Sequence, residues 1–133
     1  MADALAKVLV AEDDTAIREL IQTQLRLAGY ETFSAHNGRE ALDRVRDWRP
    51  QAMLLDINMP VLDGFGVLEE LKTADPERRV AVMVLTARHS GEDVRRAIAL
   101  GAKDFLRKPF THTDLVNRVR RLLRPRPSAY LQG

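Results

Sequence analysis

The sequence predicts an α/β domain in which five parallel strands form a central sheet with helices on both faces. Apolar runs that suit strands alternate with segments of helical period from one end of the chain to the other, which is typical of consecutive βαβ units. Three of the runs, VLVA, AMLL and VAVMVL, are apolar at every position. Central parallel strands have this composition because both of their faces are covered.

The five predicted strands differ in pattern. The second segment, ETFSA, alternates polar and apolar residues and therefore predicts an edge strand. The last segment is short. The predicted strands are Val8 to Ala11, Glu31 to Ala35, Ala52 to Leu55, Val80 to Leu85 and Asp104 to Leu106.

Each predicted strand is followed by a segment whose apolar residues recur at the i, i+3, i+4 spacing of a helix with one buried face. This spacing places Leu20 on the buried face of the first helix and Ile98 on that of the fourth. Gly29 follows the first helix as its expected C-terminal cap. The predicted helices run from about Thr15 to Ala28, Gly38 to Trp48, Gly64 to Ala74, Ser90 to Leu100 and Thr111 to Leu123.

The length and composition restrict the function classes. A chain of 133 residues suits one domain, which we expect over residues 1–123. The last ten residues, RPRPSAYLQG, carry two prolines and no helical period, so we expect a flexible C-terminal tail over 124–133. The absence of cysteine excludes disulfide scaffolds, thiol nucleophiles, iron–sulfur clusters and cysteine-type zinc sites.

The charge and hydropathy patterns predict a cytoplasmic protein. No apolar run approaches the length of about 18 residues that a membrane span needs, and the N-terminus lacks a signal pattern. The formal net charge of +2 is too even to favour a nucleic-acid partner. One basic run ends the chain, and we interpret it as the polar face of the last helix plus the tail, with docking to an acidic partner or nucleic acid as the alternative. Its members are Arg118, Arg120, Arg121, Arg124 and Arg126.

Polar residues follow four of the predicted strands, and ligands of open parallel sheets bind beyond the carboxyl ends of the strands. Several acids this close together would repel one another without a cation, and their hard oxygens suit Mg²⁺ or Mn²⁺. A threonine and a lysine suit the oxygens of a phosphoryl group. The sequence therefore predicts a site for a metal and a phosphate, formed from Glu12, Asp13 and Asp14, then Asp56 to Asn58, then Thr86 and Ala87, then Arg107 and Lys108.

Some of these polar residues have a structural interpretation. Asp14 suits the N-cap of the first helix. Pro60, Asp63 and Gly64 suit a turn into the third helix. Asp56 is different, because it directly follows a buried strand, where a carboxylate is costly without a partner.

Four segments, VLVAEDD, LLDINMPVLDG, VLTA and FLRKPF, stand in this order at the ends of the predicted strands, between about Lys7 and Leu123. Together they resemble the receiver domain of two-component response regulators. The resemblance implies a flavodoxin-like (βα)₅ fold with strand order 2-1-3-4-5. Glu12 in place of aspartate and Phe105 in place of tyrosine are common variants in that family.

The resemblance implies a role for each matching residue. Asp56 would be the phosphoacceptor. Mg²⁺ or Mn²⁺ would be bound directly by Asp13 and Asp56, mainly through water by Glu12, and by the backbone carbonyl of Asn58.

Further roles concern the phosphoryl group. Asn58 and Arg88 would flank the path of the water that hydrolyses the phosphorylated state. The peptide bond before Pro109 is expected to be cis. The residues expected to bind the phosphoryl group or to respond to it are Thr86, Ala87, Lys108 and the switch aromatic Phe105.

The implied protein is a signalling phosphoacceptor that assists its own phosphorylation and dephosphorylation, not an enzyme. It would take its phosphoryl group from a sensor histidine kinase or a histidine phosphotransferase. It would signal to a downstream protein target through its fourth helix, fifth strand and fifth helix. We expect a monomer, or a dimer that forms on phosphorylation.

Other interpretations stay open beside a stand-alone receiver. The chain could be a receiver cut from a longer regulator with a DNA-binding or enzymatic output domain. A magnesium-dependent phosphohydrolase would use Asp56 as its nucleophile but generally carries a second carboxylate two residues on, where this chain has Asn58. A flavodoxin-like cofactor binder would have a phosphate loop rich in glycine, serine or threonine after the first strand, and this sequence has none.

Overall fold

A computed structural model describes residues 5–87 and 90–124. The predicted tail beyond Arg124 and the predicted role of Arg88 lie outside these residues. The described strands are β1 (Lys7–Ala11), β2 (Glu31–Ala35), β3 (Ala52–Asp56), β4 (Ala81–Thr86) and β5 (Asp104–Arg107). The described helices are α1 (Thr15–Leu27), α2 (Gly38–Trp48), α3 (Gly64–Ala74), α4 (Gly91–Ala99) and α5 (His112–Leu122).

The five strands form one parallel sheet in the order β2-β1-β3-β4-β5. The predicted fold class and strand order are confirmed, and β2 is an edge strand as its alternating pattern predicted. The register pairs Asp56 of β3 with Leu85 of β4, and Thr86 of β4 with Arg107 of β5. The carboxyl ends of these strands therefore lie at one edge of the sheet.

Side chains alternate across the sheet and form a hydrophobic core on each face. Leu9 and Met53 point to the face covered by α2, α3 and α4, where Phe65 is buried. Val10 and Leu54 point to the opposite face, which α1 and α5 cover. This double cover explains why the central strands are apolar at every position.

Each helix begins after a residue whose side chain accepts a hydrogen bond from the backbone N–H three residues later. Oδ1 of Asp14 accepts from the backbone N–H of Ile17 at 3.0 Å, so the predicted N-cap is confirmed. Past the end of α1, Gly29 has a φ of 97°, as expected for a C-terminal glycine. The five N-caps are Asp14, Asn37, Asp63, Ser90 and Thr111.

Two large apolar residues predicted to face the core are exposed. Leu20 of α1 is 55% exposed, whereas Gln22 is buried and donates to Thr32 Oγ1 at 3.4 Å. At about 100° per residue, Leu20 lies on the opposite side of the helix from Gln22, so the apolar stripe is wider than the contact with the sheet. Ile98 of α4 is 48% exposed, whereas its neighbour Ala97 is buried.

Candidate functional site

The candidate site lies at the carboxyl ends of three strands. Glu12 and Asp13 follow β1, Asp56 ends β3, and Lys108 follows β5. Because β1 neighbours β3, and β4 alone separates β3 from β5, these side chains meet at one edge of the sheet. The sequence positions are far apart, but the parallel topology brings them together.

Three carboxylates form an acidic cluster at this edge. One oxygen from each of Glu12, Asp13 and Asp56 lies within 4.8 Å of the others. Glu12 is 1% exposed and Asp56 is 5% exposed, whereas Asp13 is exposed. Buried like charges at this separation repel one another strongly, so the cluster requires positive charge.

Lys108 supplies part of that charge. Its Nζ donates to Asp56 Oδ2 at 2.9 Å and to Glu12 Oε1. Burial lowers the pKa of Lys108, but the hydrogen bonds to Glu12 and Asp56 and the charges of both carboxylates outweigh that effect, so the pKa lies above its ordinary value. The lysine is therefore charged at neutral pH.

Glu12 shows that one lysine does not fully compensate the cluster. Burial and the hydrogen bond to Asp56 raise the pKa of Glu12 to about 7, although Lys108 acts in the opposite direction. Close to neutral pH, the carboxyl of Glu12 is therefore protonated in a substantial fraction of the molecules. A further positive charge beside it would favour the ionised form.

Main-chain groups fix the phosphoacceptor candidate. Oδ1 of Asp56 accepts from the backbone N–H of Asn58 at 3.0 Å, which leaves Oδ2 for Lys108. The following loop returns to the strand end, where the N–H of Gly64 donates to the carbonyl of Ile57 at 2.8 Å. A Cβ on Gly64 would lie 2.6 Å from the carbonyl oxygen of Asp56, so the loop requires glycine here.

The other predicted residues lie around the acidic cluster. Thr86 is fully buried at the end of β4, and its carbonyl accepts from the backbone N–H of Lys108 at 2.9 Å. Ala87 follows it and is exposed, as is Asn58. Phe105 is partly buried and packs against the core on the α2–α4 face.

The peptide bond between Lys108 and Pro109 is cis.

A cavity of about 560 Å³ lies between α2 and α3 at the amino ends of the strands, and none of the predicted site residues line it. The candidate site is therefore identified by the chemistry of the acidic cluster. This cavity lies away from it, at the opposite edge of the sheet.

The sequence analysis missed Arg18 in the first turn of α1. Its guanidinium donates to the backbone carbonyls of Glu12 and Asp13. These two residues follow β1 and contribute their side-chain carboxylates to the cluster. The only available signal was its position one turn after the acidic loop.

The pattern of the response regulator receiver domain family matches residues 8–120. The chain belongs to this family. The resemblance found in the four sequence segments is thereby confirmed. This receiver domain is part of two-component signalling, and none of its described helices is long and apolar enough to cross a membrane.

Curated relatives of this receiver domain are longer proteins. It is 45% identical over 120 residues to the transcriptional regulatory protein PrrA of Mycobacterium leprae. The aligned region covers 90% of this chain and 51% of the relative. It is 41% identical over 118 residues to the response regulator MprA of Mycobacterium avium. This alignment covers 89% of this chain and 51% of the relative. The chain thus spans about half the length of these relatives.

Solved structures agree with the fold. The chemotaxis protein CheY4 of Vibrio cholerae superposes with a TM-score of 0.85 and 34% identity, covering 90% of this chain and 100% of that one. The signal receiver domain of the putative response regulator NarL from Mycobacterium tuberculosis gives a TM-score of 0.84 with 28% identity, covering 93% of this chain and 100% of that one.

Proposed function

We propose that this receiver domain is a phosphoacceptor switch that takes a phosphoryl group from a phosphohistidine onto Asp56 in a metal-dependent reaction. The observation that carries the proposal is the buried carboxylate of Asp56, with Lys108 Nζ at 2.9 Å and two further carboxylates beside it. This arrangement combines a nucleophile with a cation that suits phosphoryl oxygens.

The acidic cluster fits Mg²⁺ or Mn²⁺. Its donors are hard carboxylate oxygens close enough to share one ion, and the raised pKa of Glu12 indicates room for another positive charge. Asp13, Asp56 and the carbonyl of Asn58 would hold the ion directly, and Glu12 mainly through water. When bound, the ion supplies positive charge that offsets the charge of the phosphoryl oxygens.

The proposed reaction is a nucleophilic transfer. An oxygen of the Asp56 carboxylate forms a bond to phosphorus while the N–P bond of the phosphohistidine breaks. The electron pair of that bond returns to the imidazole, and the product on Asp56 is an acyl phosphate. Lys108 stays charged and moves its hydrogen bond from the carboxylate to a phosphoryl oxygen, and the Thr86 hydroxyl and the Ala87 N–H bind others.

The phosphorylated state would act as a reversible signal. New contacts to the phosphoryl group would draw Thr86 towards Asp56, and Phe105 would turn into the vacated space. This changes the relative populations of two packing arrangements of α4, β5 and α5. These three elements form the face that signals to a downstream protein. Water would later hydrolyse the acyl phosphate, along a path flanked by Asn58 and Arg88, so the domain assists its own dephosphorylation without being an enzyme.

The proposed phosphodonor is a sensor histidine kinase or a histidine phosphotransferase. Two forms of output have support. Similarity to PrrA, a transcriptional regulatory protein of which the chain spans about half, favours a receiver that controls a DNA-binding domain. The other form is a stand-alone receiver, either monomeric or dimeric on phosphorylation, and the match to 100% of the solved chain of the chemotaxis protein CheY4 is consistent with it. The intact mass of the native protein distinguishes the two, because a stand-alone receiver of this sequence has a mass of 15.0 kDa.

Intact mass spectrometry after incubation with acetyl phosphate and Mg²⁺ tests the proposal. The wild type and Asp14→Asn should each gain one phosphoryl group, since asparagine preserves the N-cap of α1. Asp56→Asn, and the wild type in EDTA, should gain none. A folded wild type that gains nothing, or an Asp56→Asn protein that gains as much as the wild type, contradicts the proposed function.

A further inference from the structure

We propose that Arg18 is a positioning residue for the metal site, because its guanidinium holds the main chain of residues 12–14 in the shape that brings Glu12 and Asp13 into the acidic cluster. The inference rests on the proposed function, since it concerns how that site binds its metal. Arg18 itself touches neither the metal nor the phosphoryl group.

The guanidinium of Arg18 spans the whole acidic loop. Nη1 donates to the carbonyl oxygen of Glu12 at 2.7 Å and to that of Asp13 at 3.4 Å, and Nη2 donates to Thr15 Oγ1 at 3.4 Å. The side chain is partly buried. Its charged fork thus links the loop that follows β1 to the start of α1.

The base of this side chain is also fixed. The backbone N–H of Arg18 donates to the carbonyl of Asp14 at 2.9 Å, which closes the first turn of α1. Glu12 and Asp13 belong to neither β1, which ends at Ala11, nor α1, which begins at Thr15. Arg18 therefore connects these two loop residues, whose carboxylates must converge, to the helix α1.

Two effects of Arg18 on metal binding oppose each other. As a cation near the cluster, it repels Mg²⁺ through space, so its removal would tighten binding. As an anchor of the loop, it keeps two carboxylates in place, so its removal would weaken binding. Water and salt screen the first effect at a partly exposed site. Loss of residues that orient metal ligands typically weakens binding about 10- to 100-fold, so we expect positioning to dominate.

The test measures metal affinity directly in four full-length proteins. Mn²⁺ binding followed by electron paramagnetic resonance, and Mg²⁺ binding followed by calorimetry, are compared for the wild type, Arg18→Met, Arg18→Lys and Arg26→Met. Arg26 is an exposed arginine in the last turn of the same helix, so its variant removes the same charge away from the loop. Thermal unfolding in EDTA establishes that each variant is folded before metal is added.

We expect the dissociation constant of Arg18→Met to rise about tenfold or more, that of Arg26→Met to stay at the wild-type value, and that of Arg18→Lys to lie in between. The Mg²⁺ concentration for half-maximal phosphorylation by acetyl phosphate should rise in parallel. At saturating Mg²⁺ the rate should recover, because Arg18 does not contact the reacting atoms.

Unchanged or tighter binding by folded Arg18→Met overturns the inference, as does an equal loss in Arg26→Met. If Arg18→Met does not fold, wild-type affinity in Arg18→Lys overturns it. A wild type that binds neither Mn²⁺ nor Mg²⁺ refutes the proposed function itself. These two failures are therefore distinguishable.

Discussion

Lys108 Nζ lies 2.9 Å from Asp56 Oδ2, although 52 residues separate the two in the sequence. The parallel sheet creates this contact, because Lys108 follows β5 and Asp56 ends β3, with β4 between them. The same lysine also donates to Glu12. This half-buried cation thus links two of the three carboxylates at the acidic end of the sheet.

Replacing Lys108 with methionine should destabilise the metal-free protein. The buried carboxylates of Asp56 and Glu12 lose their cation, which costs up to about 3 kcal/mol of unfolding free energy, since part of the loss is relieved when a carboxyl takes up a proton. Urea unfolding in EDTA measures this loss. In saturating Mg²⁺ the difference from wild type should shrink, and an equal loss with and without Mg²⁺ would show that the ion does not occupy this cluster.

Replacing Asp13 with asparagine should have the opposite effect on the metal-free protein. Asp13 is the exposed acid of the cluster, so its neutralisation relieves repulsion and raises the melting temperature in EDTA slightly. Added Mg²⁺ should then stabilise the variant less than it stabilises the wild type, because a metal ligand is missing. Asp14→Asn is the control and should keep the wild-type response. Equal Mg²⁺ shifts in Asp13→Asn and wild type would exclude Asp13 as a ligand.

Replacing Gly64 with alanine should damage both stability and phosphorylation. The new Cβ would lie 2.6 Å from the Asp56 carbonyl oxygen and 2.7 Å from the Cα of Ile57, and both neighbours are backbone atoms. We expect a loss of about 2–3 kcal/mol in urea unfolding, together with slower phosphorylation of Asp56.

Gly66→Ala provides the matched control for Gly64→Ala. Its Cβ would meet the end of the Leu62 side chain, which can move, and alanine favours the helix. This variant should therefore stay closer to wild-type stability. If both alanine variants lose the same free energy, the close approach of Gly64 to β3 is not the cause.

The fold and the acidic cluster could be predicted because both depend on simple patterns. Uninterrupted apolar runs predicted central strands, and parallel strands place whatever follows them at one edge. Asp56, Glu12 and Lys108 meet for that reason. The prediction needed residue types and their order, and no side-chain geometry.

Other features could not be read from such patterns. The contacts of Arg18 are hydrogen bonds to backbone carbonyls, which every residue type offers, so no partner residue reveals them. Leu20 and Ile98 fit a helical stripe in the sequence, but how much of a stripe is buried depends on the tilt and distance of the helix relative to the sheet. The backbone conformation of Val61 likewise leaves no mark in the sequence, since valine rarely adopts it.

Val61 should be replaceable with a gain in stability. It has a φ of 71° in the loop between β3 and α3, and its side chain is 81% exposed. A β-branched residue in the left-handed region costs roughly 1–2 kcal/mol, and the exposed side chain offers little burial in return. Val61→Asn should therefore raise the unfolding free energy by about 1 kcal/mol, because asparagine tolerates this conformation. Val61→Ile, which keeps the branched Cβ, should show no such gain in thermal or urea unfolding. If the isoleucine variant is stabilised as much as the asparagine variant, the strain at this position is not what limits stability.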